Sequence, residues 1–196
     1  MSKEDNKEEA PEQEQSIWRS LGGTLLYLLV IVLLTWVIVP FVGQRTKVDG
    51  HSMEPTLSDG DNLIVDKLSY RFRDPERYDI IVFPYQHAEN TYYIKRIIGL
   101  PGETVEIIDG KVYINGSDTP LKEDYLSDEA RTDVRSFGPY QVPEDCYFML
   151  GDNRPNSADA RLWENTYVKR DKILAKAEFV YFPFSQITWL GNGAEY

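Results

Sequence analysis

From Leu21 to Val39 the chain carries no charged side chain and is mostly leucine, valine and isoleucine. As a helix this run would span about 28 Å, close to the ~30 Å hydrocarbon thickness of a bilayer. A core of so few residues has little chain with which to surround such a rod. The expectation is therefore one membrane-spanning helix, with Trp18 and Trp36 near its interfaces. Pro40 ends it, and no small-residue Ala-x-Ala site follows that would mark a removable leader. Ahead of it, residues 1–15 hold six acids against Lys3 and Lys7 with almost nothing apolar to bury, which reads as a disordered acidic tail. Lys3, Lys7 and Arg19 precede the span while Arg45 and Lys47 follow it, so charge alone leaves the orientation open. The 196 residues thus divide into a tail over 1–17, an anchor over 18–42 and one outer domain over 43–196.

Beyond Val42 the texture changes to short β-branched and aromatic runs broken by Gly, Pro, Asn and Asp, the pattern of a mostly β, antiparallel domain. The predicted strands are Leu63 to Asp66, Asp79 to Phe83, Tyr92 to Ile98, Val105 to Ile108, Val112 to Ile114, Tyr147 to Leu150 and Ala175 to Tyr181. Asp109-Gly110 separates two of these runs by two residues and predicts a tight hairpin, and Asn115-Gly116 ends the second. The polar, irregular stretch from Ser117 to Pro143 is expected to be a surface excursion.

Charge and side-chain inventory narrow the function classes. A net charge of -11 argues against nucleic acid, whose binders concentrate Lys and Arg on the polyanion. Two histidines and one cysteine cannot assemble the usual zinc constellations, and no cofactor is called for. Cys146, inside an apolar run, has no cysteine partner and reads as a small core residue.

A hydrolase without a metal needs a nucleophile, a group to take its proton, and donors for a developing oxyanion. Ser52 lies in Gly50-His51-Ser52-Met53-Glu54-Pro55-Thr56-Leu57, where Gly50 permits unusual backbone angles and Pro55 restricts Glu54. A loop so constrained can aim the Ser52 hydroxyl and the Ser52 backbone N–H at one carbonyl, joining nucleophile and oxyanion donor. A second element is Lys95, on a predicted strand whose alternation groups it with Tyr93 and Ile97. Burial there disfavours the ammonium and makes a free amine available near neutral pH. Arg96 cannot serve as a base, because a guanidinium stays protonated. The third element, Gly151 to Arg161, is a polar loop in which Asp152, Arg154, Asp159 and Arg161 can form ion pairs and Ser157 has a hydroxyl able to orient an amine.

The order of these boxes resembles the bacterial type I signal peptidases, membrane enzymes that remove signal peptides from exported proteins. The anchor, SMEPTL, Gly60-Asp61 with its following strand, KRIIGLPGE and GDNRPNSADAR follow one another across residues 18–182. The resemblance implies an antiparallel β domain of signal-peptidase type, with Ser52 as nucleophile, Lys95 as general base and Ser157 holding Lys95. It implies site-ordering roles for Asp152, Asn153, Arg154, Asp159 and Arg161. It also implies preprotein substrates with small residues one and three positions before the cut. The expected placement is single-pass in the cell membrane, N-terminus cytoplasmic and domain outside, while oligomeric state is left unknown. Lys rather than His at the base position looks like the prokaryotic form. Two departures stand out: Ala160 where many members carry Ser, and Gly50 where some carry an oxyanion-hole Ser. His51 is then a bystander, and His87 is the remaining histidine for a Ser-His alternative. Phe182, Phe184 and Trp189 are expected to help the domain rest on lipid. Self-cleaving repressors share the Ser-Lys chemistry but carry a DNA-binding head that has no counterpart here. A membrane-tethered adhesion domain is the rival of another class, in which Ser52 and Lys95 are separately replaceable.

Overall fold

Strand-forming residues dominate the chain beyond residue 42, and in the computed structural model, which describes residues 22–35, 43–85 and 91–191, they form eleven strands. These are β1 (Gly43–Lys47), β2 (Asn62–Asp66), β3 (Ile80–Pro84), β4 (Tyr92–Gly99), β5 (Thr104–Ile108), β6 (Lys111–Ile114), β7 (Phe137–Gln141), β8 (Cys146–Leu150), β9 (Tyr167–Lys169), β10 (Ala175–Phe182) and β11 (Thr188–Trp189). An eight-stranded antiparallel sheet runs β1-β2-β10-β3-β4-β8-β9, with β11 on β10, and β6-β5-β7 form a second sheet. The mostly β architecture expected from the sequence is the one observed. All seven predicted strands are present, within about two residues of the expected bounds.

The chain divides into two compact units, Met1–Phe41 and Val42–Tyr196. In the first, residues 22–35 are helical and wholly exposed. That helix is about 21 Å long at 1.5 Å per residue. Among the described residues no helix is long and apolar enough to cross a membrane. Residues 18–21 and 36–42 of the expected anchor lie outside the described residues, as do the acidic tail and His87.

In the second unit β4 is central, flanked by β3 and β8, and from Lys95 to Gly99 it is buried on both faces. The Asp109-Gly110 turn joins β5 to β6 with both residues at positive φ, 48° and 76°, the twist that suits a two-residue hairpin. The segment from Ser117 to Pro143 corrects the surface reading. It contains β7, paired to β5, and it buries Glu123, Tyr125, Ala130 and Val142. Tyr125 and Val142 fill the core between the two sheets' strands, and Glu123 has a buried cationic partner that its local sequence does not reveal.

Candidate active site

Ser52 sits in a turn that its neighbours hold down. Leu57 N–H donates to the Met53 carbonyl at 2.9 Å, a one-turn helical bond that puts Met53 and Leu57 on the same side. Both are fully buried, in the cluster formed by Leu63, Val65, Ile80 and Val180. Gly50 enters the turn at φ +101°, a conformation costly for any residue with a Cβ, and its N–H donates to Asp59 Oδ1 at 2.9 Å. The result is a rigid loop with Ser52 half-buried at its tip.

Opposite it stands Lys95, 4 % exposed on the central strand, with Nζ 2.7 Å from Ser52 Oγ. Nζ also donates to the Ile94 carbonyl at 3.0 Å and lies 5.1 Å from the centre of the Tyr93 ring. Burial is the main influence on this amine and lowers its pKa from 10.5 to about 8; the Asp159 and Asp152 carboxylates act the other way and lose. A cavity of about 130 Å³ opens at the pair, bounded by Thr46 to Asp49, Val82, Tyr92 and Ile94. The Ser52 N–H donates to no protein acceptor among the described residues.

The loop after β8 clamps the serine turn. Asn153 N–H donates to the Ser52 carbonyl at 3.1 Å, and Asn153 Nδ2 to the His51 carbonyl at 3.0 Å. Thr56 Oγ1 donates to Asp152 Oδ2 at 2.5 Å. Asp152 in turn takes a two-pronged contact from Arg96, Nε to Oδ1 at 2.8 Å and Nη2 to Oδ2 at 2.6 Å, with both side chains buried. Of the ion pairs expected inside the loop, only Asp159 with Arg161 closes within it, at 2.7 Å. Asp152 and Arg154 instead reach outward, to Arg96 on β4 and to Glu123, and Arg161 also meets Asp133 at 3.1 Å. The loop is therefore tied to three other segments, which a buried charge requires if its partner is not local.

Ser157 is buried close by, but the bond expected from it to Lys95 is not formed. Its Oγ has no hydrogen-bond partner and faces Gly151, where an added Cβ would stand 2.2 Å away and 2.4 Å from the Ser52 carbonyl oxygen. Only glycine fits between the two serines. His51 is turned away from this centre, with Nδ1 2.8 Å from Glu54 Oε1 on the exposed side. The sequence reading missed Gly151, Arg96, Glu123 and Thr56 as site-ordering groups. A signal existed for Arg96: a fixed cation between Ile94 and Ile98 on one strand face needs a buried anion, although many acids compete for that place.

The family model described as "Signal peptidase, peptidase S26" matches residues 21–182. A probable signal peptidase I-2 of Synechocystis sp. is 40% identical over 194 residues, covering 96% of this chain and 84% of that protein. Signal peptidase I of Bacillus amyloliquefaciens is 38% identical over 167 residues, 82% of this chain and 87% of that protein. The crystal structure of a signal peptidase I from Enterococcus faecalis V583 is 39% identical, covers 53% of this chain and 97% of that one, and superposes with a TM-score of 0.45. On the family match and the identity to the two curated relatives, the chain belongs to the signal peptidase family, peptidase S26.

Proposed function

We propose that this peptidase is a membrane-anchored serine endopeptidase that removes N-terminal signal peptides from exported preproteins, with Ser52 as nucleophile and neutral Lys95 as general base. The observation that carries the reading is the 2.7 Å approach of a buried amine, its pKa lowered to about 8, to a serine hydroxyl on a rigid loop. In the neutral form the amine accepts the Ser52 proton as Oγ attacks the carbonyl before the cut. The new C–O bond leaves charge on the carbonyl oxygen, toward which the unengaged Ser52 N–H is free to donate. Collapse of that intermediate breaks the C–N bond, and the protonated Lys95 returns its proton to the leaving nitrogen. The same amine then draws a proton from water, whose attack on the ester frees Ser52. No metal or cofactor enters the scheme.

Asp152, Asn153, Arg154, Asp159 and Arg161 order the site by fixing the loop that clamps the serine turn. Ser157 holds the Lys95 amine once its hydroxyl turns from Gly151; a buried hydroxyl without a partner gains by taking one. The 130 Å³ cavity suits the small side chains expected before the cut. Residues 18–42 anchor the chain in the bilayer with 1–17 cytoplasmic and 43–196 outside, so enzyme and preprotein share one membrane.

The test is cleavage of an exported precursor by wild type, Ser52→Ala and Lys95→Ala, with folding checked by circular dichroism. Both variants should fold and fall by at least about 10³-fold in kcat/KM, the scale expected when a nucleophile or its base is removed. Retained cleavage in either one sinks the assignment.

A further inference from the structure

The Tyr93 ring beside Lys95 also walls a second, larger cavity. This one, of about 230 Å³, is lined by Phe83, Tyr85, Tyr93, Leu162 and Trp163, with the exposed Glu164 on its border. Its walls are built, not incidental. Phe83 and Tyr93 are register partners on β3 and β4, an aromatic cross-strand pair. Tyr85 stacks on Tyr93 at 4.5 Å, and Trp163 lies 5.9 Å from Tyr93 and 5.7 Å from Phe83. The indole N–H of Trp163 donates to the Ala158 carbonyl at 3.1 Å, which fastens this wall to the residue after Ser157. Leu162 stands 58 % exposed on the lining of the same hollow.

The two cavities meet at Tyr93 and differ in their other walls. The smaller is closed by Thr46 to Asp49 and holds the Ser52–Lys95 pair; the larger is closed by residues that follow Ser157. An extended peptide with its carbonyl on Ser52 and one flank over the smaller cavity carries its other flank toward the larger one. Small side chains before the cut suit about 130 Å³, and the aromatic hollow is left for residues after it. Extended chain advances ~3.3 Å per residue. The centre of the Tyr93 ring lies 5.1 Å from Nζ, so the hollow that this ring walls lies within reach of the opening residues of the leaving segment.

We propose that this aromatic cavity is a subsite on the leaving side of the substrate, taking one large uncharged apolar or aromatic side chain from among roughly the first three residues after the cleaved bond. The inference rests on the Ser52–Lys95 reading of the reaction. Ring edges and faces favour an aromatic or branched apolar guest, and the Glu164 carboxylate disfavours an acidic one.

The experiment uses the full chain in detergent micelles and a precursor series with Ala, Leu, Phe or Asp at each of those three positions. One position should respond, with kcat/KM for Phe about tenfold above Ala and Asp the poorest, since apolar pockets discriminate by roughly 10- to 200-fold. In Leu162→Ala the Phe-to-Ala ratio should shrink to within about twofold, and in Glu164→Gln the gap between Ala and Asp should narrow. The ratio compares two substrates on one enzyme, so a general loss of folded protein cancels from it. A flat response at all three positions, a response only before the bond, or an unchanged ratio in Leu162→Ala overturns the subsite. Cleavage by Ser52→Ala on the same precursors would overturn the reaction centre instead, which separates the two failures.

Discussion

At the scale of single residues, Lys95 carries an energetic load that the proposed base chemistry needs. Its folded pKa of about 8 lies below the 10.5 of an exposed lysine, so below pH 8 the folded state holds a buried ammonium it would rather release. Between about pH 8 and 10.5 the unfolded chain binds more protons than the folded one, and stability therefore rises with pH across that window. The load is roughly 3 kcal/mol when fully present, below pH 8, from ~1.4 kcal/mol per pKa unit. Two outcomes follow from the same proton. For activity, kcat/KM should climb as pH passes about 8 and then level, because only the neutral amine can accept the Ser52 proton. For stability, the melting temperature of Lys95→Met relative to wild type should be highest near pH 7 and should decline toward pH 10. A stopped-flow pH profile and calorimetry at both pH values check them; a relative melting temperature that does not change with pH would refute the burial argument.

At the scale of elements, what was legible depended on whether a segment buries a face. The runs that became β2 to β6, β8 and β10 are rich in Ile, Val, Phe and Tyr, and each packs into a core cluster. β1, β7, β9 and β11 left no comparable mark. β1 and β7 have no buried residue, β7 contains Gly138-Pro139 and pairs with β5 beyond the intervening β6, and β1, β7 and β9 are edge strands. The candidate site divides the same way. Ser52, Lys95 and the loop that begins at Gly151 could be named from local residues, whereas the Arg96–Asp152 and Arg154–Glu123 pairs depend on folding that joins β4, β8 and the 117–143 segment. These pairs make the loop a structural dependant of β4. Asp152→Asn leaves the buried Arg96 without its counter-charge and should cost roughly 3–5 kcal/mol in urea unfolding, a large part of a typical domain's stability. Arg96→Met with Asp152→Leu removes both charges, and its cost should fall well below the sum of the single replacements. Simple additivity would mean that the loop is held by its other contacts.

At the scale of the whole molecule, the second unit has its own cores and holds the Ser52–Lys95 pair, so the fragment 43–196 should fold alone and, on the proposed mechanism, cut alone. Its exposed apolar side chains concentrate near the end of β10, where Phe182, Phe184, Ile187 and Trp189 share one short stretch of chain. Phe182 and Phe184 are in edge contact at 5.5 Å, and Trp189 packs on Phe179 at 5.7 Å, so these rings are ordered although exposed. Trp189 so placed suits the interface of a bilayer, where an indole's apolar body and polar N–H both find partners, and the two phenylalanines add apolar area beside it. On the proposed function, an anchor over 18–42 and this patch act on the same quantity, the local concentration of enzyme at a membrane-embedded substrate. On a short soluble peptide the fragment and the full chain should agree within a few-fold. On a precursor held in liposomes the fragment should fall behind by about 10²-fold, the lower end of what tethering contributes. Phe184→Ala with Trp189→Ala in the fragment should abolish its residual sedimentation with liposomes while leaving the soluble-peptide rate in place. Sedimentation that persists in that double variant would remove the aromatic patch from the account and leave residence at the membrane to the anchor alone.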